Sequence, residues 1–63
     1  MGKNKKMKIA RVEKDLSQDQ LAAQVGVTRQ TISMIESGKF YPSLQLCIAI
    51  CRALDRTLND LFW

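Results

Sequence analysis

The chain has 63 residues, a length that fits one small domain and leaves no room for a second. An apolar fraction of 46% is ordinary for a globular protein and disfavours a disordered chain. Ten Lys and Arg against six Asp and Glu give a net charge of +4, which favours an anionic partner: nucleic acid first, a membrane surface second, with a merely solubilising surface as the plain alternative.

The N-terminal part of the chain predicts a basic arm followed by a first helix. Residues 1–6 show no apolar periodicity and are predicted to form a frayed arm. From Met7 onward, apolar residues recur at helical spacing with charged residues between them, which predicts a helix from about Lys5 to Lys14. Its predicted inner face consists of Met7, Ile9 or Ala10, and Val12.

Two helices separated by a glycine turn follow. The run from Ser17 to Gln20 has the pattern of a capping box, which predicts a second helix that ends at Gly26. Thr28 is a good N-cap and predicts a third helix from Arg29 to Glu36, stopped by Ser37 and Gly38. The residues predicted to face inward are Leu21, Ala22 and Val25 in the second helix, and Ile32 and Ile35 in the third.

The C-terminal third predicts two more helices and completes an all-α fold. Ser43 caps a fourth helix that runs to about Leu54, and Thr57 caps a last turn from Leu58 to Trp63. The predicted inward positions of the fourth helix are Leu44, Cys47, Ile50 or Cys51, and Leu54. The alternation typical of a strand does not occur, so a single domain of five short helices is predicted for residues 1–63.

Metal binding, catalysis and membrane insertion are not predicted. Cys47 and Cys51 lie four positions apart among apolar residues, which is typical of buried packing cysteines. The chain has no His, paired carboxylates or glycine-rich phosphate loop, so an enzyme is disfavoured and no metal or cofactor is predicted. No small-molecule ligand is predicted either, because a domain this small shows no sign of an effector pocket. The apolar runs are far shorter than the roughly 20 residues of a membrane span, which favours a cytoplasmic protein.

The second and third helices have the layout of a helix-turn-helix, spanning about Ser17 to Glu36. In such a motif the latter helix lies in the major groove of DNA and its outward side chains contact base edges. Arg29 is suited to guanine and Gln30 to adenine, while the short side chains of Thr31 and Ser33 allow a close approach. A solvated polar face would also explain Arg29 and Gln30, but it would leave Met34 exposed without a reason. These five residues are therefore the predicted base-reading set.

Five blocks of sequence carry a resemblance to a known family. They run from Leu16 to Ala22, Val25 to Ser33, Ile35 to Lys39, Tyr41 to Leu46 and Leu58 to Phe62. With their mutual spacing, they resemble the Cro/C1-type (XRE) helix-turn-helix regulators, and in particular the small, compact dimeric repressors of bacteria. The resemblance implies a compact five-helix DNA-binding domain like that of the lambda repressor.

The same resemblance implies roles for individual residues. Gln18 matches a position that binds a phosphate, and Lys39 matches a contact to the DNA backbone. Thr28 matches the beginning of the recognition surface, where we expect a phosphate contact. Arg11 and Glu36 match a structural ion pair that ties the first helix to the end of the third. For Tyr41, the residues alone leave two alternatives open: a hydroxyl contact to a phosphate or packing within its loop.

A homodimer is expected on double-stranded operator DNA, because one recognition helix covers few base pairs and specificity normally needs two half-sites roughly 34 Å apart. The predicted dimer interface consists of Ile48, Leu58, Phe62 and Trp63. The leading hypothesis is a repressor that occludes a promoter on the nucleoid of a bacterium or on phage DNA. The alternative is an antitoxin or phage accessory factor whose main partner is another protein and whose DNA binding is autoregulatory.

Overall fold

Each helix begins at a side chain that accepts a hydrogen bond from the first turn. The computed structural model describes residues 3–63, with five helices: α1 (Lys5–Glu13), α2 (Gln18–Val25), α3 (Arg29–Ser37), α4 (Leu44–Leu54) and α5 (Leu58–Leu61). Their N-caps are Asn4, Ser17, Thr28, Ser43 and Thr57, and each side chain accepts from the backbone N–H three residues later. The capping boxes of α2 and α5 are reciprocal. The caps therefore satisfy amides that no carbonyl of the same helix can reach.

Left-handed backbone marks the C-terminal ends of three helices. Gly26 (φ 77°) ends α2, Gly38 (φ 82°) ends α3 and Asp55 (φ 57°) ends α4. Glycine takes this conformation without a steric penalty, and Asp is among the few other residues that tolerate it. The turns that follow α2, α3 and α4 thus begin at residues that take this backbone conformation.

The core lies where the helices converge. α2 packs against α3 and α4, α1 packs against α3 and α5, and α4 packs against α5. The apolar core cluster consists of Met7, Ala10, Leu21, Ala22, Ile32, Ile35, Ile50, Cys51, Leu54 and Leu61. All five helices contribute to it, and it holds α3 in place from its inner side. The prediction of an all-α, five-helix domain is confirmed for residues 3–63.

Three local predictions are wrong. The predicted frayed arm is wrong for Lys5 and Lys6, which form the first turn of α1 behind the Asn4 cap, in agreement with the helix predicted from about Lys5, while Met1 and Gly2 lie outside the described residues. Val12 is 56% exposed, since a helix of 3.6 residues per turn places it about 140° away from Met7. Leu44 is 59% exposed. It lies in the first turn of α4, before the buried part of that helix begins at Cys47.

The cysteines pack as predicted. Cys47 and Cys51 are buried and unbonded to each other, and burial raises the pKa of both thiols. Neither is a thiolate at neutral pH, which suits a packing role and not a reactive one. Within residues 3–63, the helices are too short to cross a membrane.

Candidate nucleic-acid interface

The turn between α2 and α3 is built from backbone hydrogen bonds and one threonine cap. The N–H groups of Gly26 and Val27 both donate to the carbonyl of Ala22, the latter at 3.0 Å. Thr28 Oγ1 then accepts from the backbone N–H of Thr31 at 3.3 Å and lies 3.1 Å from the Thr31 hydroxyl. The turn therefore sets the angle between the two helices and leaves the N-terminus of α3 at the surface.

The outer face of α3 carries the predicted base-reading residues. Arg29 and Gln30 are exposed in its first turn, whereas Thr31, Ser33 and Met34 are half-buried. Ile32 and Ile35 anchor the opposite side in the core. Because the inner side is buried, the side chains available to a ligand in solution are those of this outer face.

Ser37 extends the same face and was not predicted. It lies seven positions after Gln30, which places it on the stripe shared by Gln30, Ser33 and Met34. Its side chain is exposed, and its hydroxyl donates to the carbonyl of Met34 at 3.2 Å. The helical spacing was the signal that would have found it, but its place next to Gly38 suggested only a helix stop.

A buried ion pair joins the ends of α1 and α3. Arg11 Nε donates to Glu36 Oε2 at 2.7 Å, and Arg11 Nη2 donates to Glu36 Oε1 at 3.3 Å. Arg11 also donates through Nη1 to the carbonyl of Leu16 at 2.7 Å. Both residues are buried, with 8% and 7% exposure. One guanidinium therefore fixes α1, the loop before α2 and the C-terminal part of α3 relative to one another.

Gln18 is connected to the same pair. Its Nε2 donates to Glu36 Oε1 at 3.2 Å. A glutamine carboxamide has two N–H groups on this nitrogen, so one remains for a further acceptor at the start of α2. The ion pair thus orients a residue predicted to contact a phosphate, a connection that spacing in the sequence did not reveal.

Lys39 and Tyr41 follow α3 and differ in their surroundings. The backbone N–H of Lys39 donates to the carbonyl of Met34 at 2.9 Å, and its side chain is exposed. The Tyr41 hydroxyl donates to the carbonyl of Phe62 at 3.3 Å, and the two rings meet edge to face with centroids 6.3 Å apart. These contacts favour the packing alternative for Tyr41 over a phosphate contact.

The family model for helix-turn-helix proteins matches residues 7–61 of this chain. The chain belongs to the Cro/C1-type helix-turn-helix family. The family expected from the sequence is therefore confirmed, and the matched region covers all of α2 and α3 and nearly all of the remaining helices.

Similar proteins come from bacteria and archaea. An uncharacterized HTH-type transcriptional regulator of Bacillus subtilis, YgzD, is 45% identical over 58 residues, which cover 92% of this chain and 88% of the relative. An uncharacterized HTH-type transcriptional regulator of Methanothermobacter thermautotrophicus is 51% identical over 82% of this chain and 77% of its own length. The crystal structure of the restriction-modification controller protein C.AhdI from Aeromonas hydrophila has a TM-score of 0.87 at 30% identity, covering 94% of this chain and 89% of that one.

The four residues predicted for the dimer interface of this helix-turn-helix protein differ in exposure. Ile48, Leu58 and Phe62 are half-buried, and Leu58 and Phe62 pack against the core. Trp63 is 62% exposed. Leu58, Phe62 and Trp63 lie within one turn, since the N–H groups of Phe62 and Trp63 both donate to the carbonyl of Leu58. Of the four, Trp63 has the most apolar surface left for a partner.

Proposed function

We propose that this protein is a sequence-specific transcriptional regulator that binds an inverted-repeat operator as a homodimer and represses transcription. The observation that carries the proposal is the outer face of α3, where Arg29 and Gln30 lie exposed at a capped helix N-terminus. Arg donates two hydrogen bonds to guanine and Gln pairs with adenine in the major groove. Thr31, Ser33 and Met34 complete the reading surface.

Phosphate contacts on both sides of α3 would position that reading surface. Gln18 keeps one N–H of its carboxamide for a phosphate, Thr28 lies exposed at the N-terminus of α3, and the exposed Lys39 lies just beyond its C-terminus. The net charge of +4 supports attraction to the DNA backbone. These three contacts would set the register of α3 without selecting a sequence.

Dimerisation would supply the second half-site. The proposed interface is centred on Trp63 and includes the half-buried side chains of Ile48, Leu58 and Phe62. A two-fold dimer presents two copies of α3 to half-sites one helical turn apart. Repression by occupying a promoter requires no surface beyond the DNA-binding one, which is why we propose repression as the mode of action.

The decisive experiment is selection of bound sites from random DNA duplexes, with the mass of the complex measured on the selected site. We expect enrichment of an inverted repeat, two protein chains per duplex and an affinity that falls steeply with salt. As a matched pair, the double variant R29A/Q30A should lose the enriched sequence, whereas Q45A/R52A on the exposed side of α4 should retain it. Absence of any enriched sequence, or binding that does not respond to salt, would overturn the proposal.

A further inference from the structure

A cavity of about 400 Å³ lies at the end of the domain where the start of α1, the loop after α3 and the end of α5 meet. Sequence reasoning predicted no small-molecule ligand, because a chain of this length gives no sign of an effector pocket. Cavities that hold small organic ligands typically measure about 300–1,000 Å³. This one is therefore large enough for such a ligand, and nothing in the proposed DNA contacts uses it.

The two sides of the cavity differ in chemistry. Lys3, Lys5 and Lys6 line one side, and the opposite side is apolar, with four aromatic residues: Phe40, Tyr41, Phe62 and Trp63. Among the described residues, no Asp or Glu lines it. Lys5 and Lys6 also form the first turn of α1, so the positive end of the helix dipole adds to their charge. An occupant that matches both sides has a negative group on an aromatic or aliphatic body.

A second copy of this chain, whose proposed contact surface includes Phe62 and Trp63, would cover the aromatic side of the cavity but would not match its lysines. In a two-fold contact the same patch of both copies forms the interface, and since no Asp or Glu of the described residues lines this cavity, the second copy brings no carboxylate side chain to the three lysines. A bare phosphate matches the lysines but leaves the aromatic side without a partner. The charge and the apolar lining together therefore select a small amphipathic anion.

The lining residues of the cavity are hydrogen-bonded to α3. The backbone N–H of Asn4 donates to the carbonyl of Glu36 at 3.0 Å, and that of Phe40 donates to the carbonyl of Met34 at 3.2 Å. Ile35 itself lines the cavity from α3. We propose that this cavity binds a small organic anion, a carboxylate on an aromatic or aliphatic body, next to the C-terminal half of the reading helix. This inference goes beyond DNA binding and does not depend on it.

The experiment titrates the protein with naphthoate, an aromatic carboxylate, and with naphthamide, its neutral analogue. Trp63 is the single Trp of the chain and lines the cavity, so its fluorescence reports occupancy. We expect saturable quenching by naphthoate, at least tenfold weaker binding of naphthamide, and weaker binding of naphthoate at high salt. Equal binding of the two compounds, or no saturable change, would overturn the proposal.

A pair of charge-matched variants locates the site. K3Q/K5Q/K6Q and K8Q/K14Q/R52Q each remove three positive charges from +4, leaving +1, but only the first set lines the cavity. Naphthoate affinity should fall at least tenfold in the first variant and stay within twofold of the unmodified protein in the second. Equal losses in both would indicate nonspecific attraction and overturn the proposal. Inorganic phosphate that displaces naphthoate at equal concentration would do so as well, because the lysines would then recognise charge alone.

Discussion

Arg11 and Glu36 are 25 positions apart in the sequence, and their charged groups meet at 2.7 Å in the interior between α1 and α3. The same carboxylate also accepts a hydrogen bond from Gln18, and the same guanidinium donates to the carbonyl of Leu16. A single pair of charges thus holds α3, α1 and a proposed phosphate contact in one arrangement.

Removing one partner of this pair should destabilise the protein strongly. R11A or E36A should lower the free energy of unfolding by about 3–5 kcal/mol, because the remaining buried charge loses its oppositely charged partner. The double variant R11M/E36L, in which apolar side chains replace both charges, should cost less than the sum of the two single changes. Urea denaturation of all three variants measures these differences. Single variants within about 1 kcal/mol of the unmodified protein would show that the pair contributes no more than a surface ion pair.

Arg29 and Lys39 should affect DNA binding in different ways. If Arg29 reads a base edge, R29A should cost about 1–3 kcal/mol on the selected operator and relax the preference at one base position per half-site. K39A should instead weaken binding to all sequences about equally, because a phosphate contact carries no sequence information. Binding assays on the selected site and its single-base variants distinguish the two effects. Equal loss of affinity without a change in preference in both variants would contradict the assignment of Arg29.

Gly26 should be sensitive to its backbone conformation and not to side-chain volume. Its φ of 77° lies in the left-handed region, and a Cβ added there meets nothing within 4 Å. G26A should therefore cost about 1–2 kcal/mol through backbone strain alone, and G26N should cost less, because Asn tolerates this region better. Thermal denaturation of G26A, G26N and the unmodified protein measures the order of their stabilities. A G26A variant as stable as the unmodified protein would mean that the turn can relax to another conformation.

Asp60 should make the stability of α5 depend on pH. Hydrogen bonds from Thr57 lower the pKa of the Asp60 carboxyl below its ordinary value of 3.8. The folded state therefore favours the ionised form, so this contribution is fully present above pH 3.8 and is lost as the pH falls through the lower folded pKa. Denaturation curves of the unmodified protein and of D60N should differ at neutral pH and converge in acid. A difference that stays constant with pH would contradict a role for the ionised carboxylate.

Trp63 should contribute to dimerisation, whereas Leu44 should not. Both are exposed apolar residues, at 62% and 59%, but only Trp63 belongs to the proposed interface. W63A should raise the dimer dissociation constant at least tenfold, which corresponds to about 1.4 kcal/mol, and should weaken binding to the full inverted repeat more than to a half-site. L44A is the matched control and should leave the dimer unchanged. Sedimentation equilibrium measures the dimer dissociation constants of W63A and L44A. Equal changes in the two variants would place the interface elsewhere.

The positions of the helices were largely predictable because their signals are local. Four caps accept a hydrogen bond from the backbone N–H three residues later: Ser17, Thr28, Ser43 and Thr57. Gly26 and Gly38 end α2 and α3 by taking the left-handed backbone conformation. The observed helices begin where these residues predict, the C-terminal ends of α1 and α3 differ by a single residue from those expected, and α5 ends at Leu61, two residues before the predicted Trp63. Lys5 and Lys6 fell in both the predicted arm and the predicted helix, because apolar periodicity begins only at Met7, and the Asn4 cap decides for the helix.

The all-α fold, the helix-turn-helix and the outward stripe of α3 follow from the sequence alone, because capping, glycine turns and helical spacing depend on residues a few positions apart. The packing of the helices against one another was needed to find the connection of Gln18 to the ion pair, the packing of Tyr41 on Phe62 and the cavity between the lysines and the aromatic residues. The two hydrogen bonds join residues that are 18 and 21 positions apart. The distance between such residues is set by how the helices pack and not by any local preference of the chain.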